Sequence, residues 1–158
     1  ISAAVGMAIA AKLSGDSYRV YTLLGDGEIQ EGQVWEAAML AAHRKLDNLV
    51  VIVDNNNLQI DGAIDDVNSP YPIDKKFEAF NFHVINIDGH DFDAIAAAFK
   101  EARETKGQPT AIIAKTVKGK GVSFMENQAS WHGAAPNDEQ YEVAMADLEK
   151  VGEALCQK

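Results

Sequence analysis

Asp26 stands between two glycines in "TLLGDGEIQEG", at the point where a run of strand-type residues stops. About thirty positions on, "VDNNNLQIDG" ends a second apolar run with three asparagines, Asn55 to Asn57. A carboxylate at one strand end and side-chain amide oxygens at the next are hard ligands suited to Mg²⁺ or Ca²⁺. Mg²⁺ in particular combines one or two protein oxygens with phosphate oxygens and water. Gly25 and Gly27 let the backbone turn sharply and come close to a ligand. The helix expected from about Gln33 points its N-terminal amides toward the same place, where an anion is stabilised. Taken singly, each motif fits a plain strand-to-loop turn or a solvated loop equally well. As a pair at neighbouring strand ends, they favour a joint metal and diphosphate site.

The elements that must position this pair follow from the pattern. A small-residue helix opens the chain and turns at "SGDS", and "YRVYTLLGD" is a strand that ends at Gly25. A helix over 33–45 carries an apolar stripe of Trp35, Ala38, Met39 and Ala42. "NLVVIVDNN" is a continuous apolar run, the mark of a strand buried on both faces. "NLQIDGAIDDVNSPYPIDK" reads as a long ordered loop, and such loops are disproportionately functional. A short helix at 75–80 leads to the strand "HVINID". "DFDAIAAAFKEARETKG" is a helix with Asp91 as N-cap and Gly107 past its end. "QPTAIIAKTV" is a fourth strand, 118–137 is loop, and an amphipathic helix closes the chain. Alternating strands and helices imply a three-layer, doubly wound parallel α/β sheet, with ligands held at the carboxyl ends of its strands.

Bulk properties narrow the function. The chain has 158 residues, one domain's worth, with 47% hydrophobic and 24% charged residues, ordinary for a globular, cytoplasmic-type protein. Its formal charge of −10 argues against nucleic-acid binding, which needs a basic surface, but leaves room for small phosphorylated ligands. Cys156 is the only cysteine, so a disulfide or cysteine metal cluster is excluded. No apolar run approaches the roughly 20 residues of a membrane span. The apolar periodicity starts at Ile1 with nothing to cap the helix, so the chain reads as cut, with an upstream segment missing.

The pair of motifs resembles the thiamine diphosphate motif, and "GDGEIQEGQVWEAAMLAAHRKLDNLVVIVDNNNLQIDG" resembles transketolases. The similarity continues through "DGHDFDAI", "AKTVKGKGVSFMENQASWHG" and "APND", and is greatest to the N-terminal subunit of the form made as two polypeptides. It implies that residues 1–158 are a single thiamine diphosphate-binding PP domain without a Pyr or C-terminal domain. The metal ligands it implies are Asp26, the Asn56 amide and the Leu58 main-chain carbonyl, with Mg²⁺ as the metal and Ca²⁺ as a possible substitute. Gly27 is to offer its amide to the diphosphate, with Gly25 and Glu28 also at the cofactor. Ile60 packs on the thiazolium, Glu31 runs from the cofactor toward the subunit interface, and His132 contacts the diphosphate near the substrate channel. Glu31 and His132 are the candidate catalytic residues.

Two departures matter. The family's upstream segment, with further active-site histidines, is missing, and the glutamate that protonates the aminopyrimidine belongs to the Pyr domain and has no candidate here. The resemblance therefore implies half a site, completed by a C-terminal subunit in a homodimer or heterotetramer. The implied reaction moves a two-carbon ketol unit from a ketose phosphate to an aldose phosphate, as in the pentose phosphate pathway. Alternatives are a non-catalytic thiamine diphosphate-binding assembly module, a deoxyxylulose phosphate synthase or a two-oxoacid dehydrogenase subunit. Lys115, Lys118 and Lys120 fit either substrate phosphates at a channel mouth or a solvated basic loop. His90 fits a loop residue beside the N-cap. His43 and His83 fit surface or packing roles.

Overall fold

The structure, a computed structural model, describes residues 1–156. Four parallel strands form the central sheet in the order β1 (Val20–Gly25), β2 (Leu49–Asn55), β6 (Thr110–Lys115), β5 (His83–Asp88). Helix α1 (Ser2–Ser14) precedes β1, and α2 (Gly32–His43) connects β1 to β2. Between β2 and β5 lie a two-stranded hairpin, β3 (Leu58–Gln59) and β4 (Gly62–Ala63), then α3 (Ile64–Asn68) and α4 (Ile73–Ala79). Helix α5 (Phe92–Glu104) joins β5 to β6, and α6 (Asp138–Cys156) ends the described chain.

The sheet is covered on both faces because its strands alternate. Val51 and Val53 join one core cluster, with Ala4, Val5 and Ala8 of α1, Ala37, Ala38 and Ala41 of α2, and Phe77 of α4. Val50 and Ile112 belong to a second cluster, with Ala98 and Ala102 of α5. Chain direction explains which helix lies where. From β1 to β2 the chain steps one way across the sheet, and from β5 to β6 it steps back. A right-handed crossover then places α2 and α5 on opposite faces. Small residues let α1 and α2 approach closely, as the alanine-rich opening anticipates. Phe77 is fully buried against Trp35, ring centroids 5.2 Å apart, and such burial contributes roughly 2–3 kcal/mol.

Several local expectations hold. Asp91 caps α5, its carboxylate accepting from the backbone amides of Asp93 and Ala94, and Gly15 closes α1 in the left-handed conformation. Others need correction. The buried stripe of α2 is Val34, Ala37, Ala38 and Ala41; Met39 is exposed. Trp35 is part of the core, held by its indole N–H donating to the Ile29 carbonyl at 2.9 Å. The stretch after Asn57 is a folded hairpin and short helix rather than one long loop. The loop after β6 contains a 3₁₀ turn at Ala129–His132. No helix among the described residues is long and apolar enough to cross a membrane.

Candidate active site

The carboxyl ends of β1 and β2 lie side by side, Gly25 in register with Asp54. This places the Asp26 turn against the asparagine turn, and the Asp26 amide donates to the Asp54 carbonyl at 3.1 Å. Asp26 is buried. Its Oδ2 accepts two hydrogen bonds, from Asn55 Nδ2 at 2.9 Å and from the Asn57 amide at 2.6 Å. Its Oδ1 is buried without a hydrogen-bond partner. Burial pushes the Asp26 carboxyl above the usual carboxylate range, against the Asn55 side chain and the nearby Asn57 and Gly27 amides, which favour the ionised form. A buried carboxylate oxygen with no partner is costly unless something cationic meets it.

Asn56 lines the same cleft as Asp26, with its amide fixed at both ends. Its Nδ2 donates to Asp54 Oδ2 at 3.1 Å, and its Oδ1 accepts from the Leu58 amide at 2.9 Å. Asn55 donates to the Tyr71 hydroxyl, which in turn bonds Asn57 Oδ1. Asn55 is thus a structural partner of Asp26, and Asn57, at φ 64°, makes the turn.

All the residues assigned to the site by resemblance line one cleft of about 770 Å³: Gly25, Asp26, Gly27, Glu28, Glu31, Asn56, Leu58, Ile60 and His132. Lys118 lines it too, its Nζ 3.4 Å from His132 Nδ1. Glu28 turns back on its own loop, its carboxylate accepting from the Gly25 amide at 2.5 Å. It shapes the turn as well as lining the cleft. Ile60, on the hairpin turn between β3 and β4, is 71% exposed, a large apolar side chain at the open side of the cleft. Tyr71 and Asp54 were not singled out from the sequence, and Asn55 was named there only as part of the asparagine run. The register of two parallel strands was the signal for Asp54, since the residue opposite Gly25 must also lie at the site.

The cleft suits a metal-bound anion. Asp26, Glu28, Glu31, Asp54 and Asp61 line it with only Lys118 as a fixed cation, so a bare diphosphate meets net repulsion there. A divalent cation held by Asp26 Oδ1 removes the orphan oxygen and the repulsion together. Among the described residues no three His, Cys, Asp or Glu side chains cluster as metal ligands. One carboxylate, one amide oxygen and one main-chain carbonyl are instead the donor set that Mg²⁺ accepts when phosphate and water complete its shell.

Toward the β5 edge of the sheet, His90 Nε2 accepts from the Val117 amide at 2.8 Å, and Asp88 Oδ1 accepts from the His90 amide at 2.9 Å. His90 therefore ties the loop after β5 to the loop that carries Lys118. His83 pairs with Glu101 at 2.6 Å, away from the cleft.

Residues 1–150 match the family described as transketolase, thiamine diphosphate binding domain. The 6-deoxy-6-sulfo-D-fructose transketolase subunit SqwG of Clostridium sp. (strain MSTE9) is 44% identical over 151 residues, 96% of this chain and 55% of that protein. A subunit of the apulose-4-phosphate transketolase of Phocaeicola vulgatus is 42% identical over 98% of this chain and 55% of its own length. Human transketolase is 49% identical over 84% of this chain but only 21% of itself. The chain thus spans about half the length of the curated subunits it matches. The crystal structure of Campylobacter jejuni transketolase superposes with a TM-score of 0.84 at 37% identity, over 89% of this chain and 23% of that one. With the strand-end pair, the fold and these matches in agreement, the chain belongs to the transketolase thiamine diphosphate-binding domain family.

Proposed function

We propose that this chain is the cofactor-anchoring half of a two-subunit transketolase, one thiamine diphosphate-binding unit whose partner is a C-terminal subunit carrying the Pyr domain. The observation that carries the reading is the buried, unpartnered Asp26 Oδ1 in a cleft that Asn56 and Leu58 also line. Asp26, the Asn56 amide oxygen and the Leu58 carbonyl hold Mg²⁺, with Ca²⁺ as a substitute. Gly27 offers its amide to the diphosphate. Lys118 adds positive charge and His132 a ring nitrogen for hydrogen bonding. Ile60 provides the apolar support for the cofactor's ring, and Glu31 runs toward the subunit interface.

When bound, thiamine diphosphate supplies the carbanion-stabilising chemistry that lets a bond beside a ketose carbonyl break. This chain's contribution is to fix the cofactor and to offset its charge; proton transfer at the cofactor's aminopyrimidine needs a group that the partner brings. Ketose and aldose phosphates are the substrate class, and the two-carbon ketol unit is the group moved. Among the relatives, the names of SqwG and of the apulose-4-phosphate transketolase place that chemistry on a sulfonated fructose and on apulose-4-phosphate, so the sugar is set outside the shared motifs.

The test is calorimetric titration of thiamine diphosphate with Mg²⁺, then with chelator, on the chain alone and with its C-terminal partner, alongside Asp26→Ala. Mg²⁺-dependent binding that the variant loses, with ketol transfer once the partner is added, is the expected result. Binding without any ketose cleavage in the complex would favour a non-catalytic module. No binding in either form would remove the transketolase reading.

A further inference from the structure

Asp54 occupies a position between two clefts. One face of its side chain lines the acidic cleft beside Asp26. The other meets a second cleft of about 460 Å³ with an apolar floor that includes Leu23, Ile52, Ile87 and Ile112. No direct contact to a ligand follows from this position. What Asp54 does hold is Asn56. Its Oδ2 accepts from Asn56 Nδ2 at 3.1 Å, and its Oδ1 accepts from the Thr116 hydroxyl.

A carboxylate can only accept, so the Asn56 amide must turn its NH₂ toward Asp54. The Leu58 amide, which can only donate, takes the other end at 2.9 Å. The oxygen of Asn56 is thereby turned away from Asp54, and beyond the Leu58 amide it keeps one lone pair. Thr116 is in turn locked in place. Its amide donates to the Asn55 carbonyl at 3.2 Å, and its methyl packs so tightly on Gly89 that a Cβ there would lie 2.5 Å away. The orientation of one amide at the end of β2 is thus set from the end of β6.

We infer that Asp54 and Thr116 are positioning residues that present the oxygen of Asn56, and not its NH₂, to the divalent cation. The inference rests on the metal reading proposed above. An amide turned the other way offers two N–H donors to a cation, which repels them. Partners that orient a metal ligand typically control 10–100-fold of metal affinity.

The direction of the Thr116 hydroxyl separates orientation from charge. In Asp54→Asn, the new amide can accept from Asn56 with its oxygen and donate its NH₂ to Thr116, whose hydroxyl reverses to accept. Orientation survives although a negative charge is lost. In Thr116→Val, Asp54 remains an obligate acceptor for Asn56. In the double variant Asp54→Asn/Thr116→Val, nothing dictates which way residue 54 faces, and the Leu58 amide alone is left to hold the orientation of Asn56.

The experiment counts Mn²⁺ bound in the presence of thiamine diphosphate by electron paramagnetic resonance, in the full chain with its C-terminal partner. The Asn56 side-chain NH₂ is followed in parallel by nuclear magnetic resonance without metal. Each single variant should stay within about threefold of the parent, and the double variant and Asp54→Ala should lose about 10–100-fold. The Asn56 NH₂ should lose its protection from exchange in those two alone. Loss in Asp54→Asn equal to that in Asp54→Ala would make the role one of charge and overturn the inference. So would a double variant that binds like the parent. A parent with a protected Asn56 amide that binds no Mn²⁺ would overturn the metal reading, and the inference with it.

Discussion

The Asn57 amide donates to Asp26 Oδ2 at 2.6 Å, across 31 residues of chain and two adjacent strand ends. With Asn55 Nδ2 on the same oxygen, it spends one side of the carboxylate on holding the two turns together. The other side, Oδ1, is left buried and unmet. One residue thus divides between structure and ligand, oxygen by oxygen.

That division predicts the behaviour of Asp26→Asn. Its side-chain oxygen can still accept from Asn55 and Asn57, while its NH₂ replaces the unmet oxygen and removes a buried charge. Stability without metal should rise by about 1 kcal/mol, since an uncompensated buried charge is costly. The parent should gain about 2.7 kcal/mol at Mg²⁺ and cofactor levels of 100 times Kd, and the variant nothing. Thermal melting with Mg²⁺ and with chelator reads both. A variant much less stable than the parent in chelator would mean that Oδ1 has a partner in solution.

The sequence carried this pair well because strand periodicity is strong. The run ending at Asn55 is buried almost throughout, the edge run ending at Gly25 alternates with Tyr21 and Leu23 exposed, and a parallel sheet brings their carboxyl ends together whatever the details. It carried the support for the pair poorly. Two-residue strands such as Leu58–Gln59 and Gly62–Ala63 are too short to show any alternation, so the hairpin that brings Ile60 to the cleft read as loop. On α2 the stripe was set from Trp35 and Met39 by size, whereas the close approach of α1 selects the alanine face. Asp54 and Thr116 needed the pairing of β2 with β6, a long-range choice that no local pattern encodes.

Ile60 tests whether an exposed apolar residue is there for a ligand. At 71% exposure, Ile60→Ala should change the stability of the chain by less than about 0.5 kcal/mol. Cofactor affinity should fall about tenfold, the worth of covering a large aliphatic side chain. Calorimetry of the variant decides. Unchanged affinity would assign Ile60 to a contact with another chain.

Asp47 supports a separate prediction about acid stability. It accepts from Lys12 Nζ at 2.7 Å and from the Gly107 amide at 3.0 Å, tying α1 to the loop before β6. Burial raises its carboxyl, but the Gly107 amide and Lys12 outweigh this and hold it below the ordinary carboxylate range. Stability from such a group is complete above its unfolded value of about 3.9 and is lost as pH falls through the lower folded value. Asp47→Ala should therefore cost about 1 kcal/mol at pH 7, most of it through Gly107, because the exposed pair with Lys12 adds little. Urea unfolding from pH 7 to 2.5 should show the two curves converging at the acid end. A constant gap across that range would show that the carboxylate's charge is not involved.

Gly119, next to Lys118, fixes the loop that brings positive charge to the cleft. Its φ is +72°, and a Cβ there would lie 2.6 Å from the Met125 carbonyl oxygen. Backbone strain and overpacking add, so Gly119→Ala should cost about 3 kcal/mol. The Asn127 amide, which donates to the Lys118 carbonyl at 3.0 Å, should lose its protection from hydrogen exchange. Gly133 is the control, since a Cβ added there meets nothing within 4 Å and its φ is −129°. Gly133→Ala should stay within about 0.5 kcal/mol of the parent. Cofactor affinity should fall in the first variant only, because Lys118 then no longer holds its place in the cleft lining when the anion arrives. If Gly119→Ala unfolds no more easily than Gly133→Ala, this loop adopts another path in solution, and Lys118 owes its place to the ligand instead of to the fold.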